Sequence, residues 1–217
     1  MEKSKLYVFL DNGHGNNTAG KRSPKFPADM VEKFGKTIFY EYEYTREIVS
    51  KISEELGKLG IKVFIVTPEL RDVALSTRVS RINKKYTEVK KLGYKAILIS
   101  VHVDAAGIGK NWLNATGWSC YTTRGQNNSD KLSECLYLAG HEVLDPLKKK
   151  LRTDKTDGDE DKEADFYIIK KSNLPCVLTE NFFQDCKSDV AFLLSKEGKK
   201  AVVDIHVKGI LKYIEKY

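Results

Sequence analysis

The sequence predicts an α/β protein: a mostly parallel, twisted sheet of about six strands with helices on both faces. Two observations carry that reading. Short, nearly continuous apolar runs, such as Leu6-Tyr7-Val8-Phe9-Leu10 and Ala96-Ile97-Leu98-Ile99-Ser100-Val101, have the length and content of strands buried on both sides. Between them lie segments of helical spacing closed by glycine, and strands alternating with such helices pair in parallel. The chain has 217 residues, 41% of them hydrophobic, enough to bury one sizeable core. No composition shift marks a linker, so residues 1–217 are expected to form a single domain.

Taken in order, residues 6–10 form the first strand, which stops at Asp11 and the turn made by Gly13 and Gly15. Residues 16–37, rich in Asn, Gly, Pro and Lys, are expected to be a long loop, a length that usually signals function. Over residues 41–59, Ile48, Val49, Ile52 and Leu56 share one helical stripe, and Gly60 follows as the residue past the helix end. A strand over 61–66, a helix over 75–92 before Gly93, a strand over 96–101 and another over 117–122 come next. Residues 129–151 read as a long helix, 152–163 as an exposed polar loop, 164–169 and 176–179 as strands, and 191–217 as mainly helical.

The net charge of +7 favours an anionic partner, a cell-wall polymer among them. The charges are scattered and form no arginine stripe, so the surface is expected to be solvated and mildly basic, with no nucleic-acid partner. No run of about 18 apolar residues exists, which excludes a membrane-spanning helix and argues against stable membrane insertion. Before Asp11 there is no room for a secretory apolar region of roughly 7–15 residues, so synthesis without an export signal is expected. Cys120, Cys135, Cys176 and Cys186 contain no CxxC pair, and Cys120 and Cys176, in apolar strand-like runs, are expected to be small buried hydrophobes. Nothing in the sequence indicates a protein partner.

In a parallel sheet, ligands bind beyond the carboxyl ends of the strands. His14 follows the first strand, His102 ends the third and Glu180 ends a late one, so the three should gather at one edge. His14 is flanked by glycines that leave space around its imidazole, whereas His141 and His206 lie in helices without such flanks and are expected to be structural. His102, at the end of an apolar strand, needs either a metal or a hydrogen-bonding carbonyl. Helix phase separates three nearby acids. Glu41 falls within roughly 20° of Ile48 and Ile52, on the apolar stripe, while Glu43 and Glu47 face the other way. A carboxylate so placed is either a metal ligand or a first-turn acid favoured by the helix dipole. Glu180, flanked by apolar and aromatic residues, should have a raised pKa suited to proton transfer, or else sit in a core-edge ion pair.

These residues resemble the zinc-dependent N-acetylmuramoyl-L-alanine amidases of the third amidase class. The opening Asp-Pro-Gly-His-Gly motif appears as Asp11-Asn12-Gly13-His14-Gly15, and the glutamate heading a helix as Glu41 before Tyr44, Ile48, Val49 and Ile52. Ser-Ile-His-x-Asn-Ala appears as Ser100-Val101-His102-Val103-Asp104-Ala105, and Val-Leu-x-Glu-x-Gly-Phe as Val177-Leu178-Thr179-Glu180-Asn181-Phe182-Phe183. The chain departs from the family at Asn12, Asp104 and Phe182, none of them a ligand or the acid/base. The loop 20–24 and the insert 111–114 look particular to a subfamily and are expected to shape the substrate groove.

What the resemblance implies is one Zn2+ per chain on His14, Glu41 and His102, with Glu180 as catalytic acid/base. The substrate would be peptidoglycan, cut at the amide joining N-acetylmuramic acid to L-alanine. Asp11 would support the metal site or cap a turn, and Asp104 would add charge beside the metal. Lys21 and Arg22 would meet substrate carboxylates or simply face solvent. With no visible export signal and no separate wall-binding module, the implied setting is a phage or prophage endolysin acting on the wall after release; an exported bacterial cell-separation amidase, its signal outside this sequence, is the alternative. A zinc peptidase on a non-wall peptide and a non-catalytic peptidoglycan-binding module are the alternatives.

Overall fold

The computed structural model describes residues 1–156 and 158–217, and its architecture follows from where the apolar side chains fall. In β1 (Leu6–Asn12) and β3 (Lys95–Asp104), alternate residues feed two different cores. Leu6, Val8, Leu10, Ile97, Ile99 and Val101 pack on one face, under α2 (Glu41–Lys58), α4 (Asn128–Leu144) and α7 (Lys196–Lys216). Phe9, Ala96 and Leu98 pack on the other, under α3 (Leu75–Lys91) and α5 (Tyr167–Lys171). Burial on both faces is why these strands are apolar at nearly every position.

The sheet has six strands in the order β2 (Lys62–Ile65), β1, β3, β6 (Cys176–Phe183), β4 (Trp118–Thr122) and β5 (Lys162–Glu163). All neighbours run parallel except β4 against β6. The carboxyl ends of β1, β3 and β6, three consecutive strands, therefore share one edge. Among the described residues no helix is long and apolar enough to cross a membrane.

Several segments differ from the sequence expectation, among them the polar loop expected over 152–163, which ends in β5. Within the loop expected over 16–37 lies a short helix, α1 (Ala28–Phe34), started after Pro27 and ended by Gly35 in the left-handed conformation. The helix expected over 129–151 stops at Leu144, because Pro146 has no N–H to continue the ladder; Leu147 and Lys149 instead donate back to the Leu144 carbonyl. The strand expected over 164–169 gives way to α5, where adjacent Ile168 and Ile169 both enter one core. In a strand they would point to opposite faces. The C-terminal helical region is two helices, α6 (Lys187–Leu194) and α7, divided at Ser195, whose hydroxyl caps α7 by accepting from Gly198 N–H.

Phe182 stands where the family motif has glycine, and its φ of 65° shows why glycine suits the position. His102 pairs with Glu180 but Asp104 pairs with Phe183, so β6 carries one extra residue there. The left-handed residue makes that bulge. Phe182 is nonetheless fully buried and packs edge-on against Phe192, ring centroids 5.2 Å apart. Left-handed backbone costs about 1–2 kcal/mol, whereas emptying a buried phenylalanine site costs about 3–5 kcal/mol. Phe182→Gly is therefore expected to destabilise the chain by about 2 kcal/mol, read as a lowered urea midpoint at unchanged m-value.

Candidate active site

The turn after β1 positions the first histidine. His14 has a φ of 59° and is held there by Arg46, which donates from Nη1 to the His14 carbonyl at 2.9 Å. Thr45 donates its hydroxyl to the Gly13 carbonyl at 3.2 Å, so α2 grips the turn from two consecutive residues. Gly13 itself has no room for a side chain: a Cβ would lie 2.6 Å from His102 Nδ1 and 3.1 Å from Glu41 Oε1.

His14, Glu41 and His102 each offer one ligand atom, all within 4.8 Å of one another. Glu41, on the buried stripe of α2, places Oε1 3.2 Å from His102 Nδ1 and Oε2 3.7 Å from His14 Nε2. Its Oε1 also accepts the Val103 N–H at 3.1 Å, tying the helix to β3. Glu43 lies exposed on the far side of α2, paired with Lys36 at 2.9 Å. Burial opposes the Glu41 charge, but its hydrogen bond with His102 and the neighbouring histidines outweigh that, and its pKa falls below the ordinary carboxylate value. Burial also lowers His14 to about 4, against the raising effect of Glu41, so its imidazole is neutral and keeps a lone pair for a cation.

Whether these residues suit a metal is tested by Glu41 Oε2, which is buried with no hydrogen-bond partner. A buried carboxylate oxygen left bare between two imidazoles is costly unless a cation completes it. Two histidines and one carboxylate also form a donor set typical of open, catalytic zinc sites. The residues fit the ion.

Glu180 sits in β6 directly opposite His102 on β3, on the same edge. It keeps partial exposure, while its Oε2 is buried and unpartnered. Burial pushes its pKa well above the ordinary value, and the nearby charges of Glu41 and Asp104 add to the rise. Lys21 and Arg152 act in the opposite sense.

The remaining expected residues occupy distinct places. Asp11 is fully buried but bonds none of the three ligands. It accepts from Arg78 Nη1 at 3.0 Å and Ser100 Oγ at 2.8 Å, fixing the end of β1. Asp104 gives Oδ1 to its own turn, accepting the Ala105 N–H at 2.8 Å, and Oδ2 to Arg152 at 2.7 Å. Its charge is thus matched by a cation that also stacks over the Phe183 ring at 4.7 Å. Lys21 is fixed through its backbone, its carbonyl accepting the Glu41 N–H at 3.2 Å, and Arg22 forms an antiparallel bridge with Tyr40. Both border the site, and the Lys21 charge acts on His14, Glu41 and Glu180.

Sequence reasoning missed Arg46, Arg78, Arg152 and Asn181. Asn181 donates to the His102 carbonyl at 2.9 Å and accepts from the buried Trp118 indole at 2.9 Å, locking β3, β6 and β4 together at the site. His141 is partly exposed between Asp145 and Glu160, and His206 is buried against Val202 and Thr179; neither belongs to the cluster of His14, Glu41 and His102. All four cysteines are buried and free, with burial pushing Cys176 up to about 12.

An α/β sheet with two histidines and two carboxylates gathered at the carboxyl edge of its central strands defines a hydrolase-type site. The family profile described as N-acetylmuramoyl-L-alanine amidase matches residues 8–212, and the chain belongs to that amidase family. The endolysin of Bacillus phage SPP1 is 24% identical over 212 residues, covering 97% of this chain; the chain spans 66% of that endolysin's length. Among solved structures, an N-acetylmuramoyl-L-alanine amidase from Clostridium difficile 630 superposes with a TM-score of 0.76 at 21% identity over 98% of both chains. The amidase AmiC2 of Nostoc punctiforme gives 0.74 at 21% identity, again over 98% of each. At such identities these likenesses establish the fold, a six-stranded, mostly parallel α/β sheet.

Proposed function

We propose that this chain hydrolyses the amide between the lactyl group of N-acetylmuramic acid and L-alanine in peptidoglycan, using a zinc ion held by His14, Glu41 and His102. The observation that carries this reading is the bare, buried Glu41 Oε2 between two histidines, with Glu180 one strand away and opposite His102. Residues 1–217 act in it as one catalytic unit.

When bound, zinc supplies Lewis acidity, polarising a carbonyl oxygen and making water acidic enough to attack near neutral pH. The chain supplies the rest. Glu41 orients the His102 ring and ties α2 to β3. The Arg46 and Thr45 bonds keep the His14 turn in its left-handed form. Glu180 takes the proton of the attacking water at its carboxylate and returns it to the amide nitrogen as the carbon–nitrogen bond breaks. The products are a lactyl carboxylate and the free amine of L-alanine. A raised pKa suits both halves of that transfer.

The setting we infer is that of a phage or prophage-type lytic enzyme reaching the wall after release, supported by the relative named as an endolysin. The reading is tested on purified sacculi. About one zinc per chain should be found, and digestion should release L-alanine amines without new reducing ends, stopping on addition of chelator. Reducing ends, or amines from residues other than L-alanine, would overturn it.

A further inference from the structure

Beside the site, the loop carrying Arg22 and the insert carrying Trp112 enclose a cleft of about 490 Å3. We infer that this cleft binds the carboxylates of the stem peptide, so that the peptide half of the substrate, rather than the glycan half, lies across it. The inference rests on the proposed amide substrate and adds which side of the scissile bond goes where.

Three cations line the cleft, Arg22, Lys25 and Lys110, and among the described residues no acid lines it. None of the three has an ion pair or a side-chain hydrogen bond within the described chain. The contrast is the groove of about 600 Å3 between α2 and α7, where Lys199 pairs with Glu47 and Lys200 with Asp204. That groove is internally neutralised. The smaller cleft holds positive charge that nothing in the protein answers, and such a concavity concentrates anions.

Its walls are built rather than loose. Gly109, with a φ of 77°, brings the insert to within van der Waals reach of the Arg22 carbonyl, 3.3 Å from where a Cβ would lie. Buried Asp185 accepts the Ala106 and Gly107 N–H groups at 3.2 and 2.8 Å, and its carbonyl accepts from Leu113 N–H at 2.7 Å. The Trp112 indole donates to the Lys25 carbonyl at 3.2 Å and tilts against Phe26, joining the two walls. The wall that carries Arg22 is anchored at the catalytic edge, since the residue before Arg22 accepts the Glu41 N–H and Arg22 itself bridges Tyr40.

The chemistry of the substrate decides which half belongs there. In the amide, the muramic acid carboxyl is the acyl group itself, so no carboxylate remains on the glycan side. The peptide side ends in at least one. Unanswered cations beside the scissile bond therefore match the peptide, and Trp112 offers an apolar surface for its aliphatic stems.

Trp112 also provides the measurement, because the other tryptophan, Trp118, is fully buried. The probes are a soluble N-acetylmuramoyl stem peptide with free carboxylates and the same molecule with carboxamides. They are titrated by tryptophan fluorescence into zinc-loaded Glu180→Gln protein, in which turnover is blocked. The free-acid probe should bind about tenfold tighter than the carboxamide, a preference that weakens with salt. Adding R22Q, K25Q and K110Q together should erase the preference, whereas R22K, K25R and K110R should keep it. Equal affinities in the starting protein, or a preference that survives the glutamines, would overturn the inference. Amine release from the free-acid probe by the unsubstituted enzyme tests the amide reaction separately, so that failure of the cleft and failure of the proposed function give different results.

Discussion

Glu180→Gln is expected to lower kcat for release of the L-alanine amine by about 10³-fold, the scale of a lost general acid/base, while leaving the zinc content unchanged. The reasoning is positional. Glu180 lies on β6 across from His102 but contributes no atom to the cluster of His14, Glu41 and His102. Glutamine has the same shape, so the ligands should stay in place and only the proton carrier is lost. A variant within tenfold of the parent rate would remove Glu180 from the chemistry.

The same substitution has a second expected outcome, of opposite sign. Burial raises the Glu180 pKa in the folded chain above its unfolded value. For an acid shifted in this direction the folded state binds more protons, so stability falls as pH rises from the unfolded pKa through the folded one. At neutral pH the metal-free parent therefore carries a destabilising group, with one carboxylate oxygen buried and unpartnered. Metal-free Glu180→Gln should melt at the same temperature as the parent or higher. Its stability should also lose part of the decline the parent shows above the ordinary carboxylate range. Loss of activity with retained or increased stability is the signature of a site held against folding preference.

How much of this was legible from sequence depends on how local the signal is. β1, β3 and β6 declared themselves because strands covered on both faces are apolar almost throughout. α1 did not, since seven residues with only Met30 buried leave no periodic stripe. α5 reads as a strand because two adjacent isoleucines satisfy a strand as well as a helical turn until the neighbouring core is known. At the site, Glu41 was distinguishable from Glu43 by helix phase alone, and the structure buries the first and exposes the second. The same test applied to α3 finds Arg78, four residues before Ile82 on the buried side, where it meets Asp11. Arg152 carries no such mark. It lies just past Leu151, which bridges to Trp118, and only that pairing carries its guanidinium to Asp104.

Glu41→Ala is expected to abolish zinc binding at stoichiometric concentrations and, with it, amide hydrolysis, while Glu43→Ala changes neither. Glu41 is fully buried and lies within 3.2 Å of His102 and 3.7 Å of His14, so its removal leaves two imidazoles that cannot hold the ion alone. Among the described residues Glu43 pairs with exposed Lys36 and half-buried Tyr42, contacts of the kind worth about 0–1 kcal/mol. Melting curves with and without zinc give a readout free of turnover. A ligand that binds only the folded state raises Tm with its concentration, so the parent and Glu43→Ala should both be stabilised by zinc and Glu41→Ala should not. The metal-free proteins sharpen the comparison. Without zinc, Glu41 confers its bonds to Val103 and His102 but leaves Oε2 buried and unpartnered, two effects that oppose each other. The metal-free Tm of Glu41→Ala should therefore lie close to the parent's, and the large difference should open only when zinc is added. A metal-free Tm already far below the metal-free parent's would make Glu41 a structural acid of the α2–β3 joint instead of a ligand.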